Sequence, residues 1–272
     1  MAERTVLTTG ANSGLGLETV IEVARRGFRS VGSVRSRAKG EAVRAAAREA
    51  GVEVATTLLD VTDPEGSQRV IDRIRPWGLI NNAGASLTGA IEDVTDDEAR
   101  TAFETMVLAP TRLARLAIPH MRAAGGGRIV NVSSIYGRAT TPLTGWYQGA
   151  KHALEALSDA MRMEVAGDGI HVILVEPGGF KTGIWDEAEK DLEQRKGSRY
   201  EAAYRRTLQG IQLSEWIRGH PSRVAKVVGR ALTSRIPRSR YLVGLDAQAF
   251  AWVEALTPTP LKDLLVRKTL GL

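Results

Sequence analysis

The sequence contains no cysteine among its 272 residues. This absence excludes disulfide bridges, thiol nucleophiles and cysteine-ligated metal centres. Histidine is also scarce, and the spacing of its few copies fits no metal-binding motif. We therefore expect neither a metal enzyme nor a metal site. The histidines are His120, His152, His171 and His220.

The sequence also lacks a long apolar run. Segments such as VILV at 172–175 are far shorter than the roughly 20 residues that a membrane-spanning helix needs. The first residues, MAERTVLTTG, contain no charged leader followed by a long apolar stretch, so we expect no signal peptide. These features predict a soluble, cytoplasmic protein with no membrane span.

The charge of the chain is moderately basic, with a net value of +6 and an isoelectric point of about 9.8. Lysine and arginine are dispersed and do not form basic runs interleaved with aromatic residues. This pattern favours a solvated basic surface over a nucleic-acid interface. It also suits a small polyanionic ligand, so we predict a small-molecule partner and no nucleic acid.

Short β-rich segments alternate with helical segments along the chain, and this alternation predicts βαβ units and a parallel sheet. The expected fold is α/β, a single doubly wound, Rossmann-like sheet with helices on both faces, formed by one domain over residues 1–272. Predicted strands are 4–10, 29–35, 52–60, 77–84, 127–134, 170–178 and 240–244. Predicted helices are 15–27, 37–51, 66–74, 97–124, 146–166 and 221–234, followed by a helical tail from Ala247 with a Pro-containing break.

The segment 180–219 differs from the rest because it is charge-rich and carries four of the ten Trp and Tyr residues. It is too long for a plain loop in a compact domain. We expect helices that pack over the carboxyl ends of the strands, where ligands bind in such sheets. Its aromatic residues are Trp185, Tyr200, Tyr204 and Trp216.

A glycine-rich turn, TGANSGLG at 9–16, lies between the first predicted strand and the first helix. Its glycines have the spacing GxxxGxG, which differs from the GxGxxG of the general dinucleotide fingerprint. Glycine lets the backbone approach a pyrophosphate, and a helix N-terminus offers unpaired N–H groups to an anion. The turn predicts a nucleotide site, with a plain tight turn as the alternative. The candidate ligands are Gly10, Asn12, Ser13, Gly14, Leu15 and Gly16.

The residues after the second strand carry basic side chains, Arg35, Arg37 and Lys39, and no acid occurs between positions 29 and 40. An acid there would hold the ribose 2′-hydroxyl of NAD, whereas arginine accommodates a 2′-phosphate. We therefore predict NADP(H) in preference to NAD(H), with an exposed basic turn as the alternative.

Two further strand ends offer cofactor contacts. Asp60, with the backbone of Val61, is a candidate partner for the adenine amino group, although an Asp at a strand end is equally a turn or cap residue. The small residues of NNAG at 81–84 would let the backbone lie against a ribose. The candidates there are Asn82, Ala83 and Gly84.

In the segment YQGAK at 147–151, Tyr147 and Lys151 are four residues apart and share one face of a helix. Alone, the pair is compatible with an ordinary amphipathic helix. With TGANSGLG, NNAG, a serine thirteen residues before the tyrosine, and EPGGFKT at 176–182, the sequence resembles the short-chain dehydrogenase/reductase family from Thr5 to about Gly244.

This resemblance implies that Tyr147 is the general acid/base, since a nearby cation such as Lys151 favours the phenolate. Lys151 would also bind the nicotinamide ribose. Ser134 would hold the substrate oxygen, with its neighbour Ser133 as the second choice. The implied nicotinamide contacts are Tyr147, Lys151, Pro177, Gly178, Phe180 and Thr182.

The sequence departs from the family at Met106, where members usually place an asparagine that completes a proton relay. Three interpretations remain open: the relay runs through backbone and water alone, another side chain substitutes, or activity is reduced or lost. Methionine itself is an apolar gap-filler and only a weak hydrogen-bond acceptor.

The resemblance implies an oxidoreductase that transfers a hydride between NADP(H) and the carbonyl or alcohol of a small, hydrophobic substrate, under a substrate-binding lid at 180–219. The alternative is a nucleotide-binding protein of the same fold with reduced or no turnover. The family also commonly pairs the helices that correspond here to 97–124 and 146–166, which implies a homodimer or homotetramer. Candidate pocket residues, each also compatible with plain core packing, are Ile135, Pro142, Leu143 and Trp146 besides the aromatic residues of 180–219.

Overall fold

The computed structural model describes residues 4–272, and the strands in this range form one sheet in which every pair is parallel. Across the sheet their order is β3-β2-β1-β4-β5-β6-β7. The chain winds outward from β1 in one direction and, from β4, in the other. The strands are β1 (Thr5–Thr8), β2 (Arg29–Val34), β3 (Ala55–Leu58), β4 (Gly78–Asn81), β5 (Gly127–Val132), β6 (Ile170–Pro177) and β7 (Arg240–Val243).

Helices connect the strands and cover both faces of the sheet, which confirms the predicted doubly wound fold. Short 3-10 turns at 91–93, 135–137, 166–168 and 215–217 complete the connections. The helices are α1 (Gly14–Arg25), α2 (Arg37–Glu49), α3 (Pro64–Ile74), α4 (Asp96–Phe103), α5 (Ala109–Ala123), α6 (Gly145–Glu164), α7 (Ile184–Gln194), α8 (Glu201–Leu213), α9 (Ser222–Thr233), α10 (Leu245–Leu256) and α11 (Thr259–Leu270).

Two buried clusters on opposite faces hold the layers together. Because successive side chains of a strand point to opposite faces, Leu7 and Leu79 join one cluster with residues of α3, α5 and α6. Their neighbours Val6 and Ile80 join the other cluster, which contains Val228 and other residues of α9. The central strands are therefore apolar on both faces, as expected for a covered parallel sheet.

Some boundaries differ from those expected. The third strand was predicted at 52–60 but spans only Ala55–Leu58, the residues that pair with β2. Val52 and Val54 precede the strand and pack in the cluster that includes residues of α1 and α2. The single helix predicted at 97–124 is divided by a π-helical turn at Glu104–Leu108. The segment 180–219 contains two helices, α7 and α8, as its composition predicted.

The helices of 180–219 are tied to the loop that follows β4. Backbone N–H groups of Ser86 and Thr88 donate to the carboxylates of Glu187 (3.1 Å) and Asp191 (2.9 Å) on α7. Arg195, at the end of α7, donates to the Thr88 carbonyl at 2.7 Å. This polar contact places the segment at the carboxyl edge of the sheet. None of the helices within 4–272 combines the length and apolar character needed to cross a membrane.

Candidate active site

The glycine-rich turn links β1 to α1 and depends on glycine at three positions. Gly10 and Gly14 have φ values of +65° and +52°, in the left-handed region that side chains disfavour. At Gly16 an added Cβ would lie 2.1 Å from the carbonyl oxygen of Gly10. The turn is therefore held close to the first turn of α1, and only glycine fits.

The start of α1 has the properties of an anion site. Ser13 is its N-cap residue, and no side chain caps the helix. The first N–H groups of α1, from Gly14, Leu15 and Gly16, thus lie where a helix N-terminus attracts a phosphate. Asn12 donates to the Ser13 hydroxyl at 3.3 Å. These residues fit the pyrophosphate of a dinucleotide.

The end of β4 packs directly on this turn. The Asn82 side-chain amide donates to the carbonyl groups of Thr9 (3.0 Å) and Gly10 (3.2 Å). The Thr9 hydroxyl accepts from the N–H groups of both Asn82 and Ala83 at 3.0 Å. Asn82, Ala83 and the following Gly84 are thereby fixed beside the glycine turn, and Thr9, which begins the TGANSGLG segment, was not among the candidate site residues.

The candidate adenine end of the site lies at β2 and β3. Arg35 follows β2 and is exposed. Asp60 lies two residues beyond the end of β3, not within it as predicted, and its carboxylate accepts from the N–H (3.0 Å) and hydroxyl (2.7 Å) of Thr62. These hydrogen bonds, with a smaller contribution from Arg35, lower the pKa of Asp60. Val61 beside it is buried.

The three candidate catalytic side chains converge between β5 and α6. Ser134 follows β5, and its hydroxyl accepts from the Tyr136 N–H at 3.2 Å. Ser134 also lies close enough to Tyr147 to lower the pKa of the tyrosine. Lys151 is buried, and its ammonium group lies 5.7 Å from the centre of the Tyr147 ring. The same ammonium donates to the Val132 carbonyl at 3.0 Å. The alternative, Ser133, is buried with its hydroxyl unpartnered.

Burial dominates the electrostatics of this group. It raises the pKa of Tyr147 to about 12, against which Ser134 acts. It also lowers the pKa of Lys151 to about 8, against which the charge of Glu155 acts. The lowering of the tyrosine pKa by Lys151 that the resemblance implies is thus not observed, because the effect of burial is larger.

The chain after β6 closes the site from the other side. An added Cβ at Gly14 would lie 3.1 Å from the Thr182 side chain, so Thr182 stands over the glycine turn. Phe180 is buried, and its carbonyl accepts from the Trp185 indole at 2.7 Å. Pro177 ends β6, and Gly178 follows it within reach of a side chain from α10.

That side chain belongs to Asp246, whose carboxylate accepts from the Gly179 N–H at 2.5 Å. Phe250, one turn along α10, packs edge-on against Tyr136 at 6.1 Å, and Tyr136 packs the same way against Tyr147 at 6.4 Å. Sequence reasoning missed these residues because α10 carries no motif. The only signal in the sequence was the segment after the last strand, which is long enough to form a further helix.

Met106 occupies the π-helical turn and is buried. It belongs to an apolar cluster that includes Tyr147 and Ala150 of α6. A π turn is rare and often occurs at functional sites. Met106, where the resemblance implies an asparagine, is therefore an apolar contact against α6 in this chain.

Some of the candidate pocket aromatic residues belong to packing elsewhere or are exposed, whereas others adjoin the candidate site. Trp146 donates to the Ile91 carbonyl at 3.4 Å and packs edge-on against Phe103, so it belongs to the packing between α4 and α6. Tyr204 is buried and bonded to Asp93, while Trp216 is 83% exposed. The aromatic residues that adjoin the candidate catalytic and nicotinamide positions are Tyr136, Trp185 and Phe250.

Within residues 4–272, no group of three or more acidic, histidine or cysteine side chains is placed to hold a metal ion.

Comparison with known proteins gives consistent matches. Residues 4–193 match the family model described as short chain dehydrogenase. An uncharacterised oxidoreductase of Bacillus subtilis, YusZ, is 32% identical, and the alignment covers 99% of both chains. Retinol dehydrogenase 7 of Rattus norvegicus is 30% identical over 98% of this chain and 88% of the relative.

Among solved structures, L-sorbose reductase from Gluconobacter frateurii, complexed with NADPH and L-sorbose, superposes with a TM-score of 0.75. It is 28% identical, and the match covers 89% of this chain and 95% of the reductase. The motifs, the sheet order and these matches agree, and the chain is a member of the short-chain dehydrogenase family.

Proposed function

We propose that this protein is an NADP-dependent oxidoreductase that interconverts a carbonyl and an alcohol in a small, hydrophobic substrate. The observation that carries the proposal is the arrangement of Ser134, Tyr147 and Lys151. Ser134 lies close enough to Tyr147 to lower the pKa of the tyrosine, and the lysine ammonium lies 5.7 Å from the centre of the tyrosine ring. These are the groups needed to bind a carbonyl oxygen and to move a proton to or from it.

In the direction of reduction, the protonated Tyr147 hydroxyl gives its proton to the substrate oxygen, which Ser134 holds in place. The bound nicotinamide would supply or accept the hydride. In the reverse direction Tyr147 accepts the proton of the alcohol, and the Lys151 charge stabilises the phenolate. The buried surroundings strengthen this electrostatic effect because water does not screen it.

The proposed cofactor contacts follow the edge of the sheet. Residues of the glycine turn would bind the pyrophosphate, and Asp60 with Val61 would contact the adenine. The backbone after β4 would lie along a ribose, and Thr182 would fix the carboxamide. The proposed contacts are Gly10, Asn12, Ser13, Gly14, Leu15, Gly16, Arg35, Asp60, Val61, Asn82, Ala83, Gly84, Tyr147, Lys151, Pro177, Gly178, Phe180 and Thr182.

A preference for NADP(H) over NAD(H) is supported by the basic group after β2. Arg35, Arg37 and Lys39 are exposed, and none of the ion pairs among residues 4–272 involves them. Their charges are thus available for a 2′-phosphate. The L-sorbose reductase structure contains NADPH, which agrees with this assignment.

A hydrophobic substrate is supported by the aromatic side chains that continue from Tyr147. Tyr136 packs edge-on against Tyr147, and Phe250 packs edge-on against Tyr136. From the lid, residues 180–219, the Trp185 indole donates to the carbonyl of Phe180, a proposed nicotinamide contact. The name of the rat relative, retinol dehydrogenase 7, fits such a substrate, whereas the solved L-sorbose reductase is complexed with a sugar, L-sorbose. The single domain with its lid, the homodimer or homotetramer and the cytoplasmic location stay predictions.

A panel of aldehydes, ketones and secondary alcohols, followed at the NADPH absorbance, tests this function. We expect turnover with apolar substrates and a loss of about 10²–10⁴-fold in Tyr147→Phe, with NADPH binding unchanged. Equal activity of this variant and the parent would disprove the role of the tyrosine. In parallel titrations, Arg35→Ala should weaken binding of NADPH and leave that of NADH unchanged.

The second candidate is a nucleotide-binding protein with reduced or no turnover, and Met106 is the observation that favours it. The apolar contact at Met106 supplies no amide for a relay behind Lys151. Tight NADPH binding without oxidation on any member of the panel would support this alternative.

A further inference from the structure

Behind Lys151, the structure contains a cluster of buried charged side chains that no motif indicated. Glu176 is fully buried, and its carboxylate pairs with Arg138 at 2.7 Å and with Arg240 at 3.2 Å. Glu155 is also buried and pairs with Arg240 at 3.2 Å. Two buried carboxylates thus share one arginine, and the removal of any partner would leave an uncompensated charge.

Each member of this cluster is attached to a different segment of the site. Arg138 lies four residues after Ser134, and Glu176 immediately precedes Pro177. Glu155 lies one helical turn beyond Lys151 on α6, and Arg240 begins β7. The cluster therefore joins the serine segment, the catalytic helix and the nicotinamide segment through the last strand of the sheet.

Lys151 has few partners that would favour its charged state. Its ammonium donates to the neutral Val132 carbonyl, and none of the ion pairs among the described residues includes it. Residues four apart on a helix share a face, which places the Glu155 carboxylate on the side of Lys151. Met106 packs behind the same helix without a polar group.

We propose that Glu155 is a positioning residue, whose carboxylate, fixed by Arg240, keeps the Lys151 ammonium charged and directed at Tyr147. This inference rests on the proposed function for its catalytic meaning. The buried charge would do here part of what the usual asparagine would do at the position of Met106. It places a negative charge near the lysine from within α6, although the two side chains form no ion pair.

Charged groups from three elements surround Glu155 and contribute to the electrostatic potential at the Lys151 side of α6. On α6, Asp159 pairs with Arg240 and with Arg162 at 3.1 Å. From β6, Glu176 adds a second negative charge, and burial together with Glu155 raises its pKa. From the segment after β5, Arg138 offsets Glu176. Burial lowers the pKa of Lys151 to about 8, and Glu155 is the charge that opposes this shift.

The direct test measures the Lys151 titration itself. With lysine labelled with carbon-13 at Cε, the Lys151 resonance is followed against pH in the parent, Glu155→Gln and Asp159→Asn. We expect the midpoint to fall by about one unit in Glu155→Gln, since an opposite charge nearby is removed. Asp159→Asn is the matched control, because it removes a partner of Arg240 one turn further along α6, and its midpoint should equal that of the parent.

The pH profile of turnover provides the second measurement. In Glu155→Gln the alkaline limb of carbonyl reduction should move to lower pH by the same amount, while NADPH affinity stays within about 2-fold of the parent. A purely structural role would lower the rate equally at every pH. Glu155→Asp keeps the charge but shortens the side chain by one methylene group. It should lower the Lys151 midpoint and the alkaline limit of turnover by less than Glu155→Gln does.

An unshifted Lys151 midpoint in the glutamine variant, or in the aspartate variant should the glutamine variant not fold, would overturn the inference. Such a result in an active enzyme would leave the proposed function intact. A lowered midpoint in a protein without turnover on any substrate would support the effect of Glu155 on Lys151 and contradict the proposed function.

Discussion

Replacement of Lys151 by Met is expected to abolish turnover and to raise the free energy of unfolding near neutral pH. The pKa of Lys151 is about 8 in the folded protein, against 10.5 for an exposed lysine. Because each pKa unit corresponds to about 1.4 kcal/mol, the buried charge costs the folded state about 3 kcal/mol. Methionine keeps a similar length and removes that cost.

Loss of the hydrogen bond to the Val132 carbonyl offsets part of this gain. A buried carbonyl left without a donor costs about 1 kcal/mol, so the net stabilisation is about 2 kcal/mol. The pH dependence has a definite sign. Between the folded pKa of about 8 and the unfolded value of 10.5, only the unfolded chain keeps the proton. The parent therefore gains stability as pH rises through this window, and the advantage of the variant disappears by about pH 11.

Urea unfolding followed by circular dichroism at several pH values tests this reasoning. Lys190→Met, at an exposed lysine on α7, is the matched control and should change the free energy of unfolding by less than about 0.5 kcal/mol. A Lys151→Met protein that is less stable than the parent near neutral pH would refute the argument. So would a stability difference that stays constant as the pH rises.

Three further substitutions address other parts of the site. Gly16→Ala should weaken NADPH binding at least 10-fold, because its Cβ would lie 2.1 Å from the Gly10 carbonyl oxygen. Gly210→Ala is the control: its Cβ would meet no atom within 4 Å, so NADPH binding should be normal and α8 should be stabilised by up to about 1 kcal/mol. Asp246→Ala should free the Gly178–Gly179 turn and raise the KM for NADPH about 10-fold; an unchanged KM would exclude that support. Met106→Asn should leave turnover equal or higher. Because it buries an amide, it should lower the free energy of unfolding by about 1–3 kcal/mol, which thermal denaturation would measure. A large loss of turnover in the folded variant would contradict a relay through backbone and water.

The fold could be predicted from the apolar strand segments of the sequence, which form the sheet in the structure. The central strands are apolar on both faces, which is the requirement for a covered parallel sheet, and that property is visible in segments such as VILV at 172–175. The placement of Asn82 and Thr182 against the glycine turn also followed, because the carboxyl ends of parallel strands meet at one edge.

Other features depend on contacts that no short segment encodes. The sequence around Met106 suits an α-helix as well as a π turn, and packing against α6 accompanies the turn that is observed. Val54 has a strand-forming side chain and packs in the cluster that includes residues of α1 and α2, but β3 begins only at Ala55, where pairing with β2 starts. Asp246 and Arg240 are single charged residues far along the chain, and their roles emerge only from the partners that the fold brings to them.

The position of Arg240 has a consequence for the order in which the protein forms during synthesis. Two buried carboxylates pair with it, Glu155 of α6 and Glu176 of β6, and they leave the ribosome about 85 and about 64 residues earlier. Until β7 emerges, a nascent chain that closes its sheet must bury Glu155 and Glu176 without this cation, or keep that edge open to water. The buried ion pairs beside α6 therefore form only after the last strand has been made. A chain truncated before Arg240 is expected to be a substrate for chaperones and proteases.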